Sequence, residues 1–396
     1  MGNSQSPSSH KDPRFASSSR AFSHTELEVL KSLHASLAAQ SQSNGPHVSP
    51  SVFKNYFGLH GPLGDRMFDL VTQQRKDQKL TFEDLVIAKG IYEKGTKDEI
   101  EEFIYQLLDV SGNGIVGRSD LECVLVAMFD NIFNMHNSEH GSSAHHDTVN
   151  IFLNAAKFAK HDERHAEESL SFEDFRTWCT LLPSVRKLLG SLLIPPNQGR
   201  PGSQVPRLLH LENIDPNMIL LKKMYAWHIG GILPQHDLEE WKLLYHSSVN
   251  GLSFSTFLGN VSKDKGPTVL IIKDKEGYVY GGYASQPWER HGDFYGDLKP
   301  FLFQLYPTAS IFRPTGANTN LQWATLDQGH TFSCTTFGSP CLSKTNRIYP
   351  EVIECWGVVT KVADEEKHDG GKGTVLERFK EDRHMLNMVG LANASE

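Results

Sequence analysis

From Trp241 to Gly357 the chain is dense in aromatic residues, glycines and β-formers. Such a composition suits pleated, half-buried strands. Within it, Thr268-Val-Leu-Ile-Ile272 and Tyr278-Val-Tyr-Gly-Gly-Tyr-Ala-Ser285 flank Lys273-Asp-Lys-Glu-Gly277. Two β-rich runs around a polar turn ending in glycine signal a hairpin, with Gly277 able to take a positive φ. Gly281 and Gly282 fall inside the second run, where close backbone packing is the simpler explanation. Phe301, Phe303 and Leu305 alternate onto one face. His330-Thr-Phe-Ser-Cys-Thr-Thr-Phe337 and Val352-Ile-Glu-Cys-Trp-Gly357 complete the set. Short strands separated by turn residues argue for an antiparallel β-sandwich and against a parallel α/β sheet.

Everything before this stretch reads as helical, so the fold class is α+β and multidomain. A chain of 396 residues has room for two or three domains with real cores. Residues 1–22 are Ser-rich, polar and without periodicity, and are expected to be disordered. Residues 23–194 form a helical domain, opened by the capping box Ser23-x-x-Glu26 with Leu27, Leu30, Leu33 and Leu37 at helical spacing. Pro, Gly, Ser and Gln make 195–207 a linker by composition. Residues 208–360 hold the β-rich domain, with Asn217 to Trp227 read as a helix against the sheet and Pro234 to Trp241 as a turn into another helix. Residues 361–396 are a charged tail, expected to be solvated and to order only on binding, with a short amphipathic helix over Thr374 to Met388 as the alternative.

The sharpest metal signal lies in the helical domain. Asp109 to Asp120 fits the twelve-residue EF-hand loop. Asp109, Ser111 and Asn113 place oxygens at its first, third and fifth positions. Gly114 permits the sharp bend, Ile115 offers its carbonyl, and Val116 sits where paired loops exchange β-type hydrogen bonds. Gly117 must act through water, and Asp120 closes the loop where a longer Glu is usual. With only two carboxylates, Asp109 and Asp120, weak calcium binding of roughly 10⁻⁵–10⁻⁴ M, or magnesium occupancy, is expected. Loops beginning at Gln73 and Glu163, and another near 41–52, lack that set of oxygens and are expected to be structural partners. The arrangement is then two pairs, with the Asp109 loop beside the Glu163 loop.

Met1-Gly2-Asn3-Ser4-Gln5-Ser6 fits the N-myristoylation signal, with Gly2 the acceptor. One acyl chain gives marginal, reversible attachment, which implies a cytoplasmic protein peripheral on an endomembrane or the plasma membrane. A net charge of −8 argues against a general polyanion or nucleic-acid binder. The five cysteines are scattered and odd in number, as in reduced thiols. His140, His145 and His146 match no structural zinc spacing and read as an insertion loop. No G-x-S-x-G, P-loop or dinucleotide fingerprint is present, so the expected protein is not an enzyme. The best reactive pair is Cys334 with His330, on one face of a strand; inert packing is the commoner role for such a thiol.

Taken in order, Trp241-Lys-Leu-Leu-Tyr245, Asn250-Gly-Leu-Ser-Phe254, Val269-Leu-Ile-Ile-Lys-Asp274, Gly277-Tyr-Val-Tyr-Gly-Gly-Tyr-Ala-Ser285, Phe301-Leu-Phe303, Thr315-Gly-Ala-Asn318, Thr336-Phe-Gly-Ser-Pro-Cys-Leu-Ser343 and Glu354-Cys-Trp-Gly357 resemble a TLDc domain. That resemblance implies a sandwich of two antiparallel sheets flanked by short helices. It also implies regulation of the V-type proton ATPase through protein binding, and protection against oxidative stress. The alternative function is oxidation resistance through a reactive cysteine. One departure stands out. After Trp323 such domains continue through a glycine-rich turn and an aromatic strand, whereas here Ala324-Thr-Leu-Asp327 joins Gln328-Gly-His330 at once, so a segment is missing near 323–327.

Overall fold

The structure is a computed structural model and describes residues 13–41, 45–73, 75, 77–133, 142–159, 168–210, 214–289, 295–316, 322–324, 332–334 and 349–359. Residues 1–12, including Gly2, lie outside these. So do His330, the junction at 325–331 and the tail from Thr360. The side chains of His140, His145, His146 and Cys334 are likewise outside the description.

The helical region comprises α1 (Pro13–Ser19), α2 (His24–Gln40), α3 (Pro50–Phe57), α4 (Gly61–Val71), α5 (Phe82–Lys94), α6 (Lys97–Leu108), α7 (Arg118–Phe133), α8 (Ser142–Leu153), α9 (Phe172–Leu181) and α10 (Pro183–Leu189). Hydroxyl residues start several of them. Ser23, Thr81 and Thr96 each cap the third residue's N–H, while Glu26, Asp84 and Glu99 return the bond. Each such reciprocal cap satisfies two otherwise orphaned donors. Helix α1 corrects the expectation of disorder for that part of 1–22. Its Ser-rich composition carries little propensity of its own, but Phe15 lies edge-on to Phe82 at 6.2 Å, and both join a small core with Phe22, Leu30 and Val86. Tertiary burial holds this helix.

The segment 195–207 is also not a free linker. Arg200 is buried, and its guanidinium donates to the carbonyls of Phe57, Leu192 and Ile194. Trp227 Nε1 donates to Gly202 O at 2.6 Å. A Cβ on Gly202 would stand 2.6 Å from Leu188 N, so glycine is what lets the strap lie against α10.

The C-terminal region contains β1 (Arg207–Leu209), α11 (Lys223–Gly230), β2 (Glu240–His246), α12 (Ser247–Asn250), α13 (Phe254–Val261), β3 (Thr268–Asp274), β4 (Val279–Ala284), β5 (Phe301–Tyr306), β6 (Ser310–Phe312), β7 (Gln322–Ala324), β8 (Phe332–Cys334) and β9 (Pro350–Val359). Residues 240–246 are thus a strand where a helix was expected, and α11 begins at Lys223, after a 3₁₀ turn at Pro216–Met218. The class is α+β. The described residues show one mixed seven-stranded sheet, β1-β2-β9-β3-β4-β5-β6, and a second, two-stranded sheet of β7 with β8. Only β1–β2 is parallel; the other pairs are antiparallel. In β3, Val269 and Ile271 join a core with Ala226, Ile229 and Leu233, while Leu270 and Ile272 join another with Phe257, Leu258 and Val261. Helices cover both faces.

The β3–β4 hairpin turns where Gly277 takes φ +89°, with Asp274 Oδ1 accepting from Glu276 N–H and Tyr278 N–H. A Cβ on Gly281 would stand 1.9 Å from Leu270 O and 2.8 Å from Phe303 Cζ, so close approach requires glycine there.

Candidate functional site

Helix α6 delivers Asp109 to the loop. Ile104, Leu107 and Leu108 are buried, which fixes its roll, and Asp109 follows as the C-cap. The next turn depends on two glycines, Gly112 at φ +70° and Gly114 at φ +88°. Asp109 Oδ1 accepts from Asn113 N–H at 3.1 Å and Ser111 Oγ at 3.3 Å; Oδ2 accepts from Gly114 N–H at 3.1 Å. At the other end Asp120 turns back into the loop. Its Oδ1 accepts from Ser111 N–H at 3.1 Å and its Oδ2 from Gly117 N–H at 3.0 Å. Both carboxylates are therefore buried, inward-facing and connected through Ser111.

Of the other sequence-derived ligands, Asn113 bends to accept from Ile115 N–H at 2.9 Å, and Ile115 lies at the surface side of the turn. Gly117 contributes its N–H to Asp120 and has no side-chain oxygen. Among the described residues no three His, Cys, Asp or Glu side chains gather where they could hold a metal. The donor set here is two carboxylates plus hydroxyl, amide and carbonyl oxygens. Its chemistry suits a hard divalent cation, at low charge.

A cation is already present. Arg66, from α4, donates from Nη2 to Asp109 Oδ2 at 3.2 Å and from Nε to Gln106 O at 3.0 Å. This pair is largely buried, with side-chain exposures of 12% and 9%. Sequence pattern could not find Arg66, because it comes from a different helix.

The loops meet in pairs at the eighth position of each. Val48 and Leu80 exchange N–H···O bonds of 3.0 and 3.2 Å, and Leu170 N–H donates to Val116 O at 2.9 Å. Gly117 and Ala159 both bridge to Ser169.

The exit helix leads to the sheet. Phe129 of α7 packs edge-on to Trp227 of α11 at 5.7 Å, and Phe133 does so at 6.2 Å. Ala309, before β6, donates its N–H to Ile151 O of α8 at 2.8 Å. Met224, Trp227 and Ala309 belong to the same core as the helical region. His228 lies in this junction, wholly buried. Its Nδ1 meets Ser184 Oγ at 3.4 Å, and burial pushes its pKa down to about 3.

A second buried polar cluster ties the sheet to the segment before α11. Glu354 of β9 accepts from Leu220 N–H at 2.5 Å, Leu221 N–H at 3.2 Å and Trp356 Nε1 at 3.0 Å. His246 Nδ1 accepts from Ser248 N–H at 3.2 Å, so its proton resides on Nε2, which faces Met218 O at 3.3 Å and Glu354 Oε1 at 3.5 Å. Burial pushes the Cys179 thiol up to about 12 and raises that of Cys123 as well.

A helical region of paired loops, continuous in its core with a helix-covered mixed sheet, defines the class. The TLDc domain model matches residues 214–332, and the chain is a TLDc-domain protein. The central strand β9 follows the matched range. Among relatives, the MTOR-associated protein MEAK7 of Danio rerio is 31% identical over 227 residues, covering 50% of this chain and 47% of that protein. The MEAK7 protein of Homo sapiens is 28% identical over 206 residues, covering 45% of this chain and 44% of that one. Oxidation resistance protein 1 of Mus musculus is 27% identical over 212 residues, covering 48% of this chain and 24% of that one. The chain spans about half the length of the MEAK7 relatives it matches.

Proposed function

We propose that this TLDc protein is a non-enzymatic regulatory adaptor. Its sheet docks on a protein partner, its helical region is built of EF-hand-type pairs, and the 109–120 loop takes calcium weakly. Asp109, Ser111, Asn113, the Ile115 carbonyl and Asp120 would hold the ion, which would supply positive charge to draw these oxygens together. An acyl chain on Gly2 tethers the protein at a membrane surface on the cytoplasmic side.

The observation that carries this reading is the contact of Phe129 with Trp227. Helix α7 leaves the loop directly and packs on α11, inside the matched TLDc range. A change in the loop that rotates α7 therefore bears on α11, which packs on the sheet. The TLDc resemblance supplies the V-type proton ATPase as the partner, and the relatives' name supplies an association with mTOR.

Pull-down with the full chain, in calcium and in chelator, tests it. Recovery of pump subunits, in amounts that differ between the two conditions, is expected. No pump subunit under either condition refutes the docking assignment; equal recovery refutes calcium control. A Gly2→Ala variant should leave the membrane fraction, and unchanged partitioning refutes the tether.

A further inference from the structure

At its sixth, eighth and twelfth positions the loop that begins at Gln73 keeps features of a cation-binding loop. Its sixth residue, Gln78, has φ +48°, the left-handed conformation that Gly114 adopts at the sixth position of 109–120. A non-glycine residue there is strained, and its surroundings must offset that. Its eighth residue, Leu80, makes the paired bonds to Val48. Its twelfth, Asp84, is buried like Asp120 and turns back to Thr81, accepting from N–H at 2.9 Å and Oγ1 at 2.6 Å.

In a calcium loop the carbonyl of the seventh residue and the carboxylate of the twelfth both face the ion. Here both face one nitrogen. Arg75, the third residue, donates from Nη2 to Lys79 O at 2.8 Å and to Asp84 Oδ2 at 2.5 Å. Its Nε stands 3.7 Å from the carboxylate of Asp77, the fifth residue. Gln73, the first, reaches Asp84 Oδ1 through Nε2 at 3.4 Å.

We propose that the Arg75 guanidinium is the built-in cation of this loop, taking the place a divalent ion would occupy and closing the first pair at every calcium level. A charge carried by the chain itself cannot dissociate, so Asp84 stays neutralised and the seventh carbonyl stays engaged. The first pair is then a fixed scaffold, and only the second pair can respond to an ion. This rests on reading the helical region as paired EF-hand-type loops, but not on calcium binding at 109–120.

The test uses the full chain, with terbium luminescence and calcium titration for binding and circular dichroism for folding. Arg75→Gln should lower Tm by about 3 °C, and equally in calcium and chelator. Arg75→Lys should recover part of that loss. Arg75→Asp adds a carboxylate to Asp77 and Asp84, so in an Asp109→Asn background it should gain a terbium site that Asp109→Asn alone lacks. An unchanged Tm in Arg75→Gln, or a folded double variant that binds no terbium, overturns the proposal. If the wild-type chain binds no terbium, calcium at 109–120 is refuted while the double variant still decides the role of Arg75.

Discussion

Glu354 is a carboxylate at the centre of a sheet with no exposed surface, and removing it should cost more than any surface change in the TLDc region. Three donors converge on it: Leu220 N–H, Leu221 N–H and Trp356 Nε1. A buried donor left unmade costs about 1–3 kcal/mol, so three of them set an upper range near 9 kcal/mol. Leu220 is half-buried and lies beside the exposed turn at Pro216–Met218, so water can relieve part of this. The expected loss for Glu354→Ala is then about 3–5 kcal/mol, as for other buried groups stripped of a charged partner. Glu354→Gln keeps one carbonyl acceptor but points an NH₂ at a donor, and should lose about 2 kcal/mol. Urea unfolding followed by tryptophan fluorescence and circular dichroism measures both. Amide exchange at Leu220 and Leu221 should quicken in each variant. A loss below about 1 kcal/mol in Glu354→Ala would refute the view that this carboxylate pins the 216–221 segment to β9.

Gly281→Ala should be poorly soluble or lose more than about 3 kcal/mol, because the added Cβ meets the Leu270 carbonyl and cannot be accommodated by a side-chain rotation; near-wild-type stability refutes this. Arg66→Gln should tighten calcium binding about tenfold by calorimetry, since the ion no longer competes with a guanidinium for Asp109; unchanged affinity removes Arg66 from the site. His228, with a folded pKa of about 3 against 6.5 unfolded, keeps its full contribution above pH 6.5 and loses it as pH falls. Stability should therefore drop by about 2 kcal/mol from pH 7 to pH 5, and His228→Gln should flatten that slope; an unaltered slope in the variant excludes His228 as its source.

What was legible in the sequence was local. The capping box at Ser23, the hairpin at Gly277, the alternation of Phe301, Phe303 and Leu305, and the order of oxygens from Asp109 to Asp120 all depend on residues within a few positions of each other. Arg66, Arg200 and Glu354 were not legible, because their partners arrive from elsewhere in the chain. Arg66 meets Asp109 from 43 residues away, and Glu354 meets Leu220 from 134 away. No periodicity encodes such a meeting. The strap at 195–207 shows the same limit differently. Pro and Gly mark flexible chain when solvated, yet Pro196 lies on Gly58 and Gly202 on Leu188, where small or ring-locked residues permit the closest approach.

The cover on both faces of the seven-stranded sheet was legible in β3. A strand with one face toward a second sheet and one toward solvent alternates apolar with polar. Val269-Leu-Ile-Ile272 does not alternate; all four side chains are buried, two on each face. An unbroken apolar run of strand length calls for cover on both sides, and α11 and α13 provide it. The consequence reaches function. With helices on both faces, what the seven-stranded sheet leaves open is its strand ends, edges and covering helices. Here α11 is the helix whose Trp227 also receives Phe129 from the loop's exit helix. Helix α11, which covers one face of the TLDc sheet, is thus also the helix on which the exit helix of the 109–120 loop packs.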